Sequence, residues 1–236
     1  MAAEPHRRST DAPAEGTAAT PGRRRYVAPA RAAAAAATRR RIVDAAAALF
    51  DERGYQATTL PDIAAAAGVS VQSVHLAGPK SSLLVAAFGV AFIGDEGQQP
   101  LTDRPELVQI MAMPAPEALT AYAGFLTTAH ARSAGIWRAM RTAAETDEEV
   151  SNLVDALEQR RLADFRRAVD WAASVDLLRG EAPAAERAEV MAWLASPETY
   201  LWFTRERGWS GPRYAGWLAH SIEVLVFGGP AAATPS

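Results

Sequence analysis

An all-α chain is predicted, with an N-terminal three-helix domain that carries a helix-turn-helix and a larger helical domain behind it. Three observations support this. The stretch Thr58–Lys80 (TTLPDIAAAAGVSVQSVHLAGPK) reads as two short capped helices around a tight turn, apolar residues on either side recur at i, i+3, i+4, i+7 spacing, and prolines and glycines fall where such helices start and stop.

Within that stretch Thr59 is an N-cap, with Pro61 in the first turn and Asp62 in capping-box position, so a helix is expected over Leu60–Ala67. Gly68 ends it and Ser70 caps a second helix from Val71, which leaves the three-residue turn that a helix-turn-helix needs. Ala64 lets the second helix cross closely, Gly68 permits a left-handed turn, and Val74 plugs the gap, with Ile63 and Val69 on the same side. Val71, Gln72, Ser73 and His75 then form the outer face near the start of the second helix, the part that enters a DNA major groove. The competing reading is an alanine-rich helical hairpin with a glycine turn; the caps, the glycine and the valine in register weigh against it, because composition alone does not align them.

In chain order, residues 1–37 read as a disordered basic tail, and Ala32–Ala37 is too weakly hydrophobic for a secretory core. A first helix is expected from Arg31 or Thr38 to Arg53, burying Ile42, Ala45, Ala46, Leu49 and Phe50 and stopped by Gly54. A fourth helix over Ser81–Phe92 buries Leu84, Ala87, Phe88 and Ala91 and closes a reader domain of residues 38–93. Gly94–Pro116, with four prolines and two glycines, reads as a connecting loop with one helical turn around Leu107–Met111. Helices follow at about Pro116–Arg132, Gly135–Ala144, Asp147–Leu178, Pro183–Ala195, Pro197–Arg207 and Pro212–Phe227, a second domain of residues 94–228 before a disordered tail, 229–236. Asp147, Glu148 and Glu149 favour the dipole of the long helix and are not read as metal ligands.

With 236 residues, 49% hydrophobic and 22% charged, the chain suits a soluble globular protein of one small and one larger domain. The absence of cysteine excludes disulfides and Cys-ligated zinc and makes an intracellular protein the natural reading; for a DNA reader the expected location is cytoplasmic and nucleoid-associated. Histidines only at 6, 75, 130 and 220 give metal chemistry little to stand on, so no metal or cofactor is expected. Residues 1–41 hold nine arginines against Glu4, Asp11 and Glu15, a net of +6, while the remainder carries −9. Arg23–Arg25 and Arg39–Arg41 stand where they could contact phosphates or enter a minor groove. A solvated tail is the other reading; Arg39, Arg40 and Arg41 are the better phosphate candidates because they are tethered to the domain. Lys80, the only lysine, begins a helix beside the reader and is read as a phosphate contact, with a free surface lysine as the alternative.

The run Thr38–Phe92 resembles the DNA-binding domain of the TetR family of transcriptional repressors. The resemblance rests on Ile42-x-x-Ala45-Ala46-x-x-Leu49-Phe50, Gly54-Tyr55, Thr58-Thr59, Ile63-Ala64, Gly68-Val69-Ser70 and Lys80-x-x-Leu83-Leu84. It implies a DNA-contacting set of Arg39, Arg40, Thr59, Val71, Gln72, Ser73, His75 and Lys80 on a double-stranded operator. It also implies an all-helical C-terminal domain that dimerises and takes a small-molecule effector, and a fourth helix that bridges the two. One departure stands out: the family's Val-Tyr-x-x-Phe-x-Ser-Lys is here Val74-His75-Leu76-Ala77-Gly78-Pro79-Lys80, one residue shorter and without the Phe. Either Leu76 rotates inward to replace that Phe or the domain is softer than its relatives.

All six tryptophans, at 137, 171, 193, 202, 209 and 217, lie in the C-terminal half. Trp193, Trp202, Trp209 and Trp217 are expected in the core or in a homodimer interface made by the last helices, which pair across a two-fold axis in the family. Phe125, His130, Trp137, Met140 and Phe165 come from the earlier helices that enclose the family's ligand cavity and are candidate ligand contacts; plain core packing is the competing reading. No Gly-rich phosphate loop, HExxH, GxSxG or Cys nucleophile is present, so catalysis lacks residues, and no membrane partner is expected. The expected function is a ligand-released, homodimeric repressor on a near-palindromic operator. The alternative is a helical adaptor or ligand-sequestering protein that has lost specific DNA reading.

Overall fold

The computed structural model describes residues 27–96 and 99–229, and the chain divides into two compact units, residues 1–37 and 38–236. In the first unit the described part, 27–37, is helical and residues 30–37 are exposed; alanine's intrinsic helix preference explains a helix that buries so little. This corrects the expectation of disorder for 27–37. The rest of the expected N-terminal tail, with Arg7, Arg8 and Arg23–Arg25, lies outside the described residues, as do residues 230–236.

The second unit is helical, with no strand among the described residues. Its elements are α1 (Val27–Arg53, which begins in the first unit), α2 (Leu60–Ala67), α3 (Val71–Ala77), α4 (Lys80–Ile93), a 3₁₀ turn at Leu101–Asp103, α5 (Pro105–Met111), α6 (Ala115–Ala144), α7 (Glu148–Ser174), α8 (Ala184–Leu194), α9 (Pro197–Leu201), a π-turn at Trp202–Glu206 and α10 (Gly211–Leu225).

The local chemistry expected around the turn is present. Thr59 Oγ1 accepts from the Asp62 N–H at 3.3 Å while the Asp62 carboxylate accepts from the Thr59 N–H at 3.0 Å, a complete capping box. Gly68 is left-handed at φ +64°, and Ser70 Oγ accepts from the Ser73 N–H at 3.1 Å to start α3. Thr58 is wholly buried and its hydroxyl donates to the Gly54 carbonyl at 2.8 Å, which fastens the end of α1 to the start of α2.

Two apolar cores hold the unit. The first joins Ile42 and Phe50 of α1, Ile63 of α2, Val74 of α3 and Leu84 of α4 to Trp137 and Met140 of α6 and Val150 of α7. The second gathers Leu126, Phe165, Val169, Met191, Leu218 and Ile222 from α6, α7, α8 and α10. Residues beyond 93 thus contribute to both cores.

Several expected boundaries move: α1 begins at Val27, the helix expected at Pro197–Arg207 gives way to the π-turn after Leu201, and two further changes have a visible cause. Helices expected at Pro116–Arg132 and Gly135–Ala144 are one continuous α6 of 30 residues. Gly135 is there for close approach, since a Cβ at that position would fall 1.7 Å from Asp51 Oδ1. The long helix stops at Ser174, not Leu178, where the chain turns through Asp176 at φ +56°. Nearby, the buried Arg187 guanidinium ties the end of α10 to the α7–α8 loop by donating to the carbonyls of Val226, Arg179 and Ala182.

Candidate functional site

The second helix of the helix-turn-helix, α3, has seven residues, so only one narrow stripe can be buried. Val74 fills it, and Val71, Gln72, His75 and Leu76 are exposed. Ser73 is half-buried, with its hydroxyl 2.8 Å from that of Ser70. Leu76 is 82% exposed, so it does not replace the missing Phe; it stands about 200° around the helix from Val74, which turns it outward with the reading face. Sequence reasoning left it out of that face, although helical spacing alone locates it there. An outward leucine is suited to the thymine methyl group, as Gln72 is to the hydrogen-bonding edge of adenine.

Three of the cations expected to hold phosphates, Lys80, Arg40 and Arg39, are engaged by groups of the protein, while Arg41 is exposed. Lys80 Nζ donates to the carbonyls of Tyr55 at 3.0 Å and Thr58 at 3.1 Å and lies 4.0 Å from the centre of the Tyr55 ring. Burial lowers its pKa, opposed by the charge of Asp147. Arg40 grips Asp44 at 2.8 Å and the Gly94 carbonyl at 2.8 Å. Arg39 holds Glu96 in a bidentate pair, its Nη2 2.5 Å from Oε2, and donates from Nη1 to the carbonyl of Ala77, the last residue of α3, at 2.6 Å. Thr59 spends its hydroxyl on the Asp62 cap, donating to the carboxylate at 2.6 Å and so depressing the Asp62 pKa. These four residues therefore position the reader as built; direct contact with DNA would require them to exchange partners.

The start of α7 is tied to the same region. Tyr55 Oη donates to Asp147 at 3.4 Å and Ser81 Oγ to Glu149 at 2.7 Å. Burial, then the nearby Asp147 carboxylate, pushes the Tyr55 phenol up to about 12, so it stays a donor.

A cavity of about 520 Å³ lies among α4, α5, α6 and α7 and reaches Arg39 and Glu96. Its size suits a drug-sized organic ligand, and its walls are largely apolar, with Phe88, Phe92, Leu119 and Phe165 prominent. Of the five candidate ligand contacts, His130 and Phe165 line it. Phe125, Trp137 and Met140 do not. Met140 and Trp137 are core, Trp137 donating its indole N–H to Glu198 at 2.6 Å, and Phe125 packs at the edge of the second core.

His130 is buried, with Nε2 3.1 Å from the Ala195 carbonyl, which can only accept; Nε2 therefore carries the proton and Nδ1 is a lone-pair acceptor with no partner. Desolvation lowers its pKa from 6.5 to about 3, against the raising effect of the Ala195 bond and with some help from Arg161. Among the described residues no cluster of His, Cys, Asp and Glu could hold a metal ion, and no single helix is long and apolar enough to cross a membrane. Of the four late tryptophans, Trp209 and Trp217 pack about Phe203, at 4.4 and 4.2 Å between ring centres, whereas Trp193 on α8 is 68% exposed and Trp202 is also exposed.

Comparison with known proteins bears out the resemblance. Residues 42–77, the end of α1 through α3, match the family described as bacterial regulatory proteins, tetR family. SmeT, solved as a complex with triclosan, aligns at 21% identity over 85% of this chain and 99% of that one, with a TM-score of 0.58. The MbdR regulator from Azoarcus sp. CIB aligns at 17% identity over 83% and 100% with a TM-score of 0.56, and PfmR from Thermus thermophilus, a TetR family transcriptional regulator, at 21% over 82% and 97% with 0.53. At these identities the solved structures share the fold. A comparison with curated proteins gave no match. Together, the matched segment and the shared fold support a DNA-binding transcriptional regulator.

Two outcomes follow from the engaged groups. Lys80→Met should lower unfolding free energy by about 1–3 kcal/mol, the scale of lost charged hydrogen bonds, and leave the dependence of DNA affinity on salt unchanged; unaltered urea denaturation with a flattened salt slope would contradict the internal role. His130 binds fewer protons folded than unfolded between pH 3 and 6.5, so its contribution is whole above 6.5 and shrinks as pH falls through that window. Between pH 7 and pH 5 the wild type should lose about 2 kcal/mol relative to His130→Gln, and parallel pH profiles for the two proteins would show that the imidazole does not titrate in this way.

Proposed function

Taking residues 42–77 as a reader of the TetR type, we propose that the protein is a homodimeric, sequence-specific transcriptional repressor that leaves a near-palindromic operator when a small molecule fills its cavity. Residues 38–93 are the reader, and residues 94–228 the regulatory and dimerising part. The observation that carries this reading is the outer face of α3, where Val71, Gln72, His75 and Leu76 stand clear of a core that Val74 anchors. The effector half is supported by the cavity, by SmeT being solved with triclosan, and by Arg39, which lines the cavity and bonds the end of α3. Dimerisation through α8 and α10 is supported by exposed stripes at helical spacing, Glu186, Glu189 and Trp193 on one and Arg213, Gly216, His220 and Val224 on the other. Their opposite charges suit an isologous contact in which each helix of one copy meets the other helix of its partner.

The engagement of Arg39, Arg40 and Lys80 within the fold favours one rival, an adaptor that has lost DNA reading, and selection of bound fragments from a random DNA pool by the full-length protein separates the two. An enriched palindrome is expected. Gln72→Ala and Leu76→Ala should each cost about 1–3 kcal/mol on that site and relax preference at one or two base pairs, with little change on random DNA. A folded dimer that enriches nothing, with or without candidate effectors, leaves the adaptor.

The Arg39 joint has its own outcome. Glu96→Gln weakens the pair, so the ratio of operator affinities without and with a saturating effector should shrink, and linkage requires the effector's own affinity to depend less on DNA. A ratio equal to that of the wild type would remove Arg39 from the coupling.

A further inference from the structure

The cavity's polar chemistry is uneven. Its charged lining includes Arg39, Arg161 and Arg167 beside Glu96 and Asp164, and Arg160 has an interaction of its own. Arg39 is matched to Glu96 and Arg167 to Asp164, at 2.8 Å in the latter. Arg161 pairs with Glu158 through Nη1 alone, at 2.8 Å, while its Nη2 is buried without a hydrogen-bond partner. Its guanidinium is also 5.4 Å from the Trp137 ring centre and 5.9 Å from that of Phe165, so two aromatic rings flank it beside the Glu158 carboxylate. Among the described residues, the one other lining residue with a buried unpartnered polar atom is His130, whose Nδ1 offers a lone pair. Its depressed pKa keeps it neutral, so it adds an acceptor and no charge. Buried donors and acceptors are paired in folded proteins almost without exception, and two residues that line one apolar cavity each keep such an orphan, of complementary kind and covered by neighbouring atoms, which describes what the cavity lacks.

We propose that the cavity takes an organic acid with a mainly apolar body, whose oxyanion accepts from Arg161 Nη2 and whose hydroxyl or amide N–H donates to His130 Nδ1. This rests on the effector reading above and specifies its chemistry. A wholly apolar ligand would leave both groups unpaired, and a cationic one would meet an arginine-rich wall. The oxyanion pairs with a guanidinium that is already largely desolvated, so that part of the cost of forming the contact is met before binding.

The test uses the full-length protein, titration calorimetry, and three probes: N-decanoylglycine, which has the anion and the amide N–H; decanoate, which lacks the N–H; and N-decanoylglycine methyl ester, which lacks the charge. N-decanoylglycine should bind tightest, with the ester weaker by about tenfold or more. Arg161→Met should abolish the preference for acid over ester while retaining the ester, whose binding also shows that the variant is folded. His130→Phe should abolish the preference of the acyl glycine over decanoate. Ester binding equal to acid binding, an undiminished acid preference in Arg161→Met, or no binding of any probe would overturn the proposal. Retained operator binding beside no probe binding would fail this inference alone, whereas tight acid binding by a dimer that selects no DNA would fail the repressor reading and leave the cavity's chemistry standing.

Discussion

A helix of seven residues cannot support itself in water, where isolated helices shorter than about 12–15 residues are marginal. The whole reader therefore depends on the burial of Val74, the one fully buried residue of α3, among Ile42, Ile63 and Leu84. Trp137 and Met140 of α6 sit in that same core, so the helix that walls the cavity also props the recognition helix. Close-packed cores do not deform smoothly, and a displacement of α6 has to be answered by a new arrangement on the reader's side.

Polar ties reinforce this dependence. Ser81 to Glu149 and Tyr55 to Asp147 join α4 and the α1–α2 loop to the start of α7, and Lys80 closes the same loop from within. An ammonium that holds two carbonyls and an aromatic face keeps its charge but has only one N–H left to offer a phosphate. In the reader, cationic side chains secure the position of α3, and its exposed face is left to Gln72, His75 and two apolar residues.

What was legible in the sequence was local. Thr59 with Asp62, Ser70 with Ser73 and Gly68 at its turn are interactions over three residues, and each is present as expected. Gly135 was misread as a helix boundary because a glycine signals either a stop or a close approach, and the deciding atom belongs to Asp51, far away in the chain. The partners that Lys80 and Arg39 take within the fold were not legible, because the carbonyls of Tyr55, Thr58 and Ala77 are backbone groups without a residue signature and Glu96 lies far along the chain from Arg39. Aromatic spacing found the buried side of α6, but whether a buried residue meets packing or empty space depends on the facing helix. That is why His130 borders the cavity while Trp137, two turns along, does not.

The Arg39 joint sets a scale for switching. Its side chain is 40% exposed and that of Glu96 30%, so solvent screens the pair and its worth is about 1 kcal/mol at most. In the two-fold dimer proposed above both joints would act on one operator, and the sum of about 2 kcal/mol would correspond to a change of roughly 30-fold in affinity. That falls within the usual range of allosteric coupling, yet is smaller than the gap between specific and non-specific DNA binding, about 4–10 kcal/mol. Breaking the joints alone would loosen the protein on its operator without erasing the preference for it. In the proposed mechanism full release would therefore require the shared core to move as well, by way of α6, which borders the cavity through His130 and packs under α3 through Trp137.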